Sequence, residues 1–317
     1  MKLVVLIPAF NEEKTIGKVI QEIPKDIEGI DEMKILLVDD GSTDNTAEIA
    51  KKAGAFVISH AKNKGLGIAF STGIKEALKQ GADIVVNIDA DNQFDPRDIT
   101  KLVKPILEKK AEMVAGTRFE DETSARKVPF IKRWGNKAFT SLINILIRQH
   151  FTDTQCGFRA YSKEAILRLN LFGKFTYTQE VFLDLVNKGL TIKQVPIKVR
   201  YYKERQAKIT SSLFGYFLRT IVIILRTFRD YKPLVFFGIP GFIIFLIGFL
   251  ISLFMFVRYI ILHVTSPFKS LTQVGIALII VGMLMIVLAL IADMLKRIRQ
   301  NQEEILYRLK KREFERK

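Results

Sequence analysis

The 317-residue chain predicts an α/β domain with a largely parallel sheet, followed by a two-helix transmembrane hairpin. Three observations carry that prediction. Over residues 1–200, strand-like runs alternate with helix-like ones, the pattern of parallel strands linked by crossover helices. Polar or glycine-containing loops follow the predicted strands, where open α/β sheets bind their ligands. Residues 233–257 and 270–292 contain no charged side chain. Each run is longer than the roughly 20 apolar residues that cross a bilayer.

Residues 3–7 form the first predicted strand. The apolar run there is too short for a signal peptide, and Asn11-Glu12-Glu13 stands where a small-residue cleavage site belongs. Ile16, Val19, Ile20 and Ile23 then share one helical face. Residues 34–38 predict a strand that runs into Asp39-Asp40-Gly41-Ser42-Thr43-Asp44. Asp44 is placed to cap the following helix, and Asp39 has both a capping and a binding reading. Gly54 ends that helix and residues 55–59 form the third strand. After Asn63-Lys64-Gly65-Leu66-Gly67 comes a helix with Phe70, Ile74, Ala77 and Leu78 on one face, stopped by Gly81.

The run from Ile84 to Ile88 reads as a buried strand ending at Asp89, followed by Ala90, Asp91, Asn92 and Gln93. Two carboxylates spaced i, i+2 where a strand turns can converge on a hard divalent cation, Mg²⁺ or Mn²⁺. A solvated turn before Pro96 is the other reading of this stretch alone. No G-x-G-x-x-G follows the first strand, and no phosphate-binding G-x-x-x-x-G-K-[ST] is present.

Residues 136–151 predict an amphipathic helix with Phe139, Leu142, Ile143, Leu146 and Ile147 on one stripe. Lys137, Thr140, Ser141, Asn144 and Arg148 fall opposite. Residues 211–227 are apolar but interrupted by Arg219 and Arg226. Both segments have two readings: packing on the core, or lying in the headgroup layer.

A formal charge of +16 asks for an anionic partner: nucleic acid, anionic lipid or a phosphorylated substrate. The basic residues gather beside the apolar runs. Arg219, Arg226, Arg229 and Lys232 precede them, while Lys296, Arg297, Arg299, Arg308, Lys310, Lys311 and Arg312 follow. That placement suits membrane lipid and not nucleic acid. The linker 258–269 carries only Arg258, His263 and Lys269, so the positive-inside rule puts the N-terminal α/β domain and both termini in the cytoplasm. A single cysteine, Cys156, excludes an intrachain disulfide. In the tail, Leu295, Ile298, Gln302, Ile305 and Leu309 follow the a/d spacing of a coiled coil. A homo-oligomer seam and an amphipathic helix resting on anionic lipid are its two readings.

Four motifs occur in order: Pro8-Ala9-Phe10-Asn11-Glu12, Val38-Asp39-Asp40-Gly41-Ser42-Thr43-Asp44, Asn63-Lys64-Gly65 and Asp89-Ala90-Asp91. Together they resemble family 2 glycosyltransferases of the GT-A (Rossmann-like) fold. Gly116-Thr117-Arg118, Asp153-Thr154-Gln155-Cys156-Gly157-Phe158-Arg159-Ala160-Tyr161 and Val195-Pro196-Ile197 resemble the dolichyl-phosphate mannose and glucose synthase branch. The resemblance covers about residues 1–230. It implies transfer of one hexose, with inversion, from GDP-mannose or UDP-glucose to a dolichyl (polyprenyl) phosphate.

By that resemblance Pro8, Phe10, Glu12, Asp39 and Asp40 line the base and ribose, and Lys64 and Gly65 lie over the nucleotide. Asp89-Ala90-Asp91 belongs to the donor site, with Asp89, Asp91 and Gln93 holding the cation on the diphosphate. A phosphate acceptor is already anionic, its second pKa being about 6, and needs no general base. Arg118, Arg133, Arg205 and Lys208 are candidates to meet its charge, since Arg grips phosphate bidentately. Glu180 stands where many family 2 enzymes place a base, and equally where it would shape the sugar pocket. One departure from the branch is Ala207, which replaces the usual serine one residue before Lys208.

The Q-x-x-R-W signature of processive polysaccharide synthases is incomplete: Arg133-Trp134 is present but Phe130 takes the Gln position. A catalytically inactive nucleotide-binding scaffold is the remaining alternative, and intact Glu12, Asp89 and Asp91 speak against it. The domain plan is 1–205 catalytic, 206–231 juxtamembrane, 232–292 hairpin and 293–317 basic tail helix.

Overall fold

A computed structural model of the chain describes residues 1–118, 136–170 apart from 138, 139, 142 and 146, 177–200, and 225–315 apart from 227, 264, 265 and 267. Seven strands make one sheet in the order β3-β2-β1-β4-β6-β5-β7. They are β1 (Lys2–Ala9), β2 (Glu32–Asp39), β3 (Phe56–Ser59), β4 (Ile84–Asn87), β5 (Met113–Thr117), β6 (Arg159–Ser162) and β7 (Ile192–Pro196). β3, β2, β1 and β4 run parallel. β6 is antiparallel to both neighbours and β7 returns parallel to β5. The expected mostly parallel α/β sheet is therefore what forms.

Helices α1 (Ile16–Glu22), α2 (Thr46–Lys52), α3 (Leu66–Lys79), α4 (Ile99–Leu107), α5 (Lys163–Arg168) and α6 (Tyr177–Asn187) accompany it. Apart from Lys2 and Asn87, β1 and β4 are apolar because central strands are covered on both faces. Leu3, Val5 and Ile7 pack with Ile16, Val19, Ile20 and Leu102 on one face. On the other, α3 brings Phe70 to 5.9 Å from the Tyr161 ring. Gly73 allows that approach, since a Cβ there would collide with the Leu6 side chain.

Two sequence expectations need correction. β4 stops at Asn87, not at Asp89. Its antiparallel ladder ends where Asn87 faces Arg159, and Asn92 takes a left-handed φ of 59°. Asp89 and Asp91 thus stand wholly in the loop. The segment 136–151 is helical among its described residues only to 147, and Arg148 turns left-handed with φ 56°. Asn136, Thr140 and Ile143 are buried. Thr140, expected on the polar side, bonds Thr154 Oγ1 at 3.0 Å. That helix packs on the core. Of the stretch 211–227, only 225 and 226 are described.

Two helices are long and apolar enough to cross a membrane, Leu234–Leu262 and Lys269–Phe314. The first contains α7 (Ile239–Leu262) and the second lies in α8 (Lys269–Glu315). They meet along glycines spaced by seven. A Cβ at Gly248 would stand 2.7 Å from the Ile279 backbone nitrogen, and one at Gly282 would overlap the Phe245 backbone. Small residues let helix backbones close in lipid, where packing replaces the hydrophobic drive.

The chain divides into two compact units, residues 1–208 with Leu306–Lys317, and Ile209–Ile305. The end of α8 therefore belongs to the sheet-bearing unit. Tyr307 Oη donates to Glu164 Oε2 at 3.0 Å, under the Arg168 guanidinium at 4.2 Å. Lys310 Nζ donates to Leu169 O and Asn170 Oδ1, each at 2.9 Å.

Candidate active site

Four loops leave the carboxyl ends of β1, β2, β3 and β4, and short hydrogen bonds knit them together. Asn11 N donates to Ser42 Oγ at 2.9 Å, Thr43 N returns to Asn11 Oδ1 at 2.9 Å, and Glu12 N donates to Thr46 Oγ1 at 2.8 Å. Asp44 takes the Thr46 amide at 3.0 Å, close to the expected capping role, and also the Glu13 amide at 3.2 Å. Asp39 is buried and accepts from Ser42 N at 2.9 Å, an interaction that holds its own turn and caps no helix.

Asp40 is the organiser of the third loop. One oxygen takes His60 Nδ1 at 2.7 Å and Lys64 N at 3.0 Å, and the other takes Gly65 N at 2.7 Å. His60 in turn reaches Thr72 Oγ1 of α3 at 3.1 Å through Nε2. Gly65, with φ 96°, opens α3 in a conformation that a side chain resists. The carboxylate expected to touch base or ribose is thus engaged by three protein donors. Sequence reasoning missed His60, whose only signal was its place at the end of a strand.

The acidic loop lies beside the first. Thr15 Oγ1 donates to Ala90 O at 2.8 Å and lies 3.0 Å from Glu12 Oε2, tying the β1 loop to Asp89-Ala90-Asp91. Asp91 Oδ1 accepts from Gln93 N at 3.0 Å, and Gln93 O accepts from Arg200 N at 2.7 Å. Asp89 packs against Gly157, where a Cβ would come within 3.2 Å of both carboxylate oxygens. Burial, and next the Asp91 charge, push Asp89 up to about 7, while Arg118 and Arg159 pull it down. Two mutually repelling carboxylates suit a hard cation that neutralises both. Among the described residues no group of three or more His, Cys, Asp or Glu side chains converges on one point. A pair suffices for Mg²⁺, which commonly takes one or two carboxylates and completes its shell with water and substrate phosphates.

Arg118 is held bidentately by Asp153, Nε to Oδ2 at 2.6 Å and Nη2 to Oδ1 at 3.0 Å. Asp153 is fully buried and receives Asn136 Nδ2 at 3.2 Å as well. Burial acts to raise its pKa, but the Arg118 charge and hydrogen bonds prevail and hold it below the usual carboxylate range. Behind this turn, the buried Arg159 donates to Cys156 O at 2.7 Å and Thr154 O at 3.0 Å. Neither Asp153 nor Arg159 was singled out from sequence as a site residue.

Pro8 is buried at the end of β1, while Phe10, 41 % exposed, stands at the rim and Lys64 is exposed. Glu180 lies in α6, but its side chain is outside the described residues, as are Arg133, Arg205 and Lys208.

A mostly parallel sheet that gathers carboxylates in its strand-end loops, with a guanidinium close by, is the architecture of GT-A glycosyltransferases. Residues 4–169 match the family described as Glycosyl transferase family 2. The UDP-N-acetylglucosamine–dolichyl-phosphate N-acetylglucosaminyltransferase of Methanococcus voltae is 35% identical over 231 residues, 67% of this chain and 90% of the relative. The dolichyl-phosphate hexose transferase of Haloferax volcanii is 30% identical over 203 residues, 64% of this chain and 83% of the relative. Among solved structures, glucosyl-3-phosphoglycerate synthase from Mycobacterium tuberculosis with uridine diphosphate aligns with a TM-score of 0.55 at 25% identity. That alignment covers 72% of this chain and 79% of the synthase. The synthase has also been solved with Mn²⁺ and uridine diphosphate. The chain belongs to glycosyl transferase family 2 and is related to dolichyl-phosphate glycosyltransferases.

Proposed function

We propose that this protein moves one sugar, with inversion, from a nucleoside-diphosphate sugar to a polyprenyl phosphate at a membrane. The observation that carries the reading is the Asp89–Asp91 pair with the Arg118 guanidinium close enough to act on its charge. Such a pair would set a diphosphate-bound cation near a positive group. The donor is a GDP- or UDP-linked hexose or N-acetylhexosamine, the relatives differing in the sugar they carry.

An acceptor phosphate oxygen attacks the anomeric carbon, the bond from that carbon to the diphosphate breaks, and nucleoside diphosphate leaves. No proton need be removed from the nucleophile. Catalysis is then positioning and charge neutralisation. Asp89 and Asp91, with Gln93, would hold Mg²⁺ or Mn²⁺, which when bound offsets the charge of the leaving diphosphate. Phe10, Glu12 and Asp39 meet the base and ribose, while Asp40 acts by fixing the loop of Lys64 and Gly65. Arg118, with Arg133, Arg205 and Lys208, receives the acceptor phosphate. Residues 1–205 carry the chemistry, 206–231 lie against the bilayer, and 232–292 anchor the chain with both ends on the cytoplasmic side.

Purified protein incubated with dolichyl phosphate, Mn²⁺ or Mg²⁺ and a panel of nucleotide sugars should yield a glycosylated lipid detectable by mass. Asp91→Ala should yield none while melting at the wild-type temperature, because its side chain stands in a loop and not in the core. Unmodified lipid with every donor, or full turnover in excess chelator, would overturn the assignment.

A further inference from the structure

Within the hairpin α8 buries Gly275, Gly282 and Ala289, and within the sheet-bearing unit its last turns bury Tyr307. The face turned away carries Leu288, Ile291, Leu295, Ile298, Ile305 and Leu309, each between 42 % and 60 % exposed. With Gln302 these positions are spaced three, four, three, four without a break, the a/d repeat of a coiled coil. Inside the charge-free run 270–292, lipid accounts for that exposure. Beyond Ala292 it does not, because the helix there turns charged, with Asp293, Lys296, Arg297, Arg299, Glu303 and Glu304 on its other positions.

A helix lying flat in the headgroup layer would also hide these residues, but it would have to turn away from the spanning segment. Sharp turns in helices need Pro, Gly pairs or a bulge. α8 is one continuous helix from Lys269 to Glu315, with no Pro and no Gly after Gly282. The cover is therefore protein.

We propose that this face joins copies of the same chain in a parallel helical bundle. Chains inserted in one direction present identical seams side by side and in register. Leu at the a positions 288, 295 and 309 and Ile at the d positions 291, 298 and 305 favour more than two strands. Gln302 fixes the register at some cost in stability.

The test uses the full chain in its membrane. Ile298→Cys and Ile305→Cys should each crosslink to higher mass with a short bismaleimide, whereas Arg297→Cys, exposed but off the seam, should not. Native Cys156 is buried and gives no background. In detergent, the double variant Leu295→Glu, Ile305→Glu should fall to the 36.2 kDa of one chain. Equal crosslinking on and off the seam, or a wild-type protein that already runs as one chain, would overturn the proposal. Activity need not be known for either readout.

Discussion

Arg118 shows how one side chain can serve both site and fold. Its bidentate partner Asp153 has no exposed surface, and removing one member of a buried pair leaves an uncompensated charge, at a cost of about 3–5 kcal/mol. Arg118 is 24 % exposed, so Arg118→Ala should destabilise the sheet-bearing unit by about 3 kcal/mol, the low end of that range. Chemical denaturation would measure it. Because the Asp153 carboxyl is held below its ordinary value, its stabilisation is complete above the unfolded pKa of about 3.9. It is lost as pH falls through the lower, folded value. Stability should therefore decline below about pH 4, and Asp153→Asn should flatten that decline. Cys156 makes a second prediction. Burial above all pushes its thiol up to about 12, so a thiol reagent at pH 8 should leave the native chain unmodified and add once after denaturation. Mass spectrometry would read both states. At this scale the sequence showed which residues matter better than what they touch. Asp40 stood out as a motif carboxylate, but its commitment to His60, Lys64 and Gly65 depends on a loop that closes only in three dimensions. Arg159 looked like one residue of a motif, and only burial shows it holding the turn under Asp153.

Strands and helices were more legible. The apolar core of β1 and the helical face of Phe70, Ile74, Ala77 and Leu78 are set by local period, which survives folding unchanged. Gly54 and Gly81, at φ 95° and 76°, end their helices as their backbone freedom predicts. β6 was not legible. Its four residues include the buried Arg159, and its antiparallel place between β4 and β5 comes from distant partners. The helix beginning near 136 was read with Thr140 outward because a threonine looks polar, whereas its hydroxyl finds Thr154 inside. The hairpin offers a test at this scale. Gly282→Leu places a side chain on the Phe245 backbone and should cost about 1–3 kcal/mol, the usual range for overpacking. The midpoint of unfolding in mixed micelles would report it, and the sheet-bearing unit should keep its own melting transition.

The molecule as a whole returns to its beginning. α8 ends among residues of α3 and α5, bordering a half-open pocket of about 370 Å³ whose lining includes Ile74, Leu78, Ile166, Leu306 and Phe314 beside Lys75 and Glu313. Nothing in the sequence announced this docking, since Tyr307 and Lys310 sit in a basic helix with an equally plain reading as a lipid-facing tail. Tyr307→Ala with Lys310→Ala removes the bonds to Glu164, Leu169 and Asn170. Hydrogen bonds are worth about 0.5–1.5 kcal/mol each, more with charge, so the pair should lower the melting temperature of the sheet-bearing unit by several degrees. Unchanged melting would show the contact to be incidental.

That docking also bears on how the protein is made. Tyr307 follows its partner Glu164 by 143 residues, so at about 5–20 residues per second the ribosome delivers it roughly 7–30 s later. Once β7 has followed, the early domain has its sheet complete but shows bare apolar surface on α3 and α5 until the end of α8 arrives. Both long helices must be synthesised before the covering segment emerges. A chain cut short within either helix keeps that surface open, and so differs from a finished one in a way that chaperones and proteases can read.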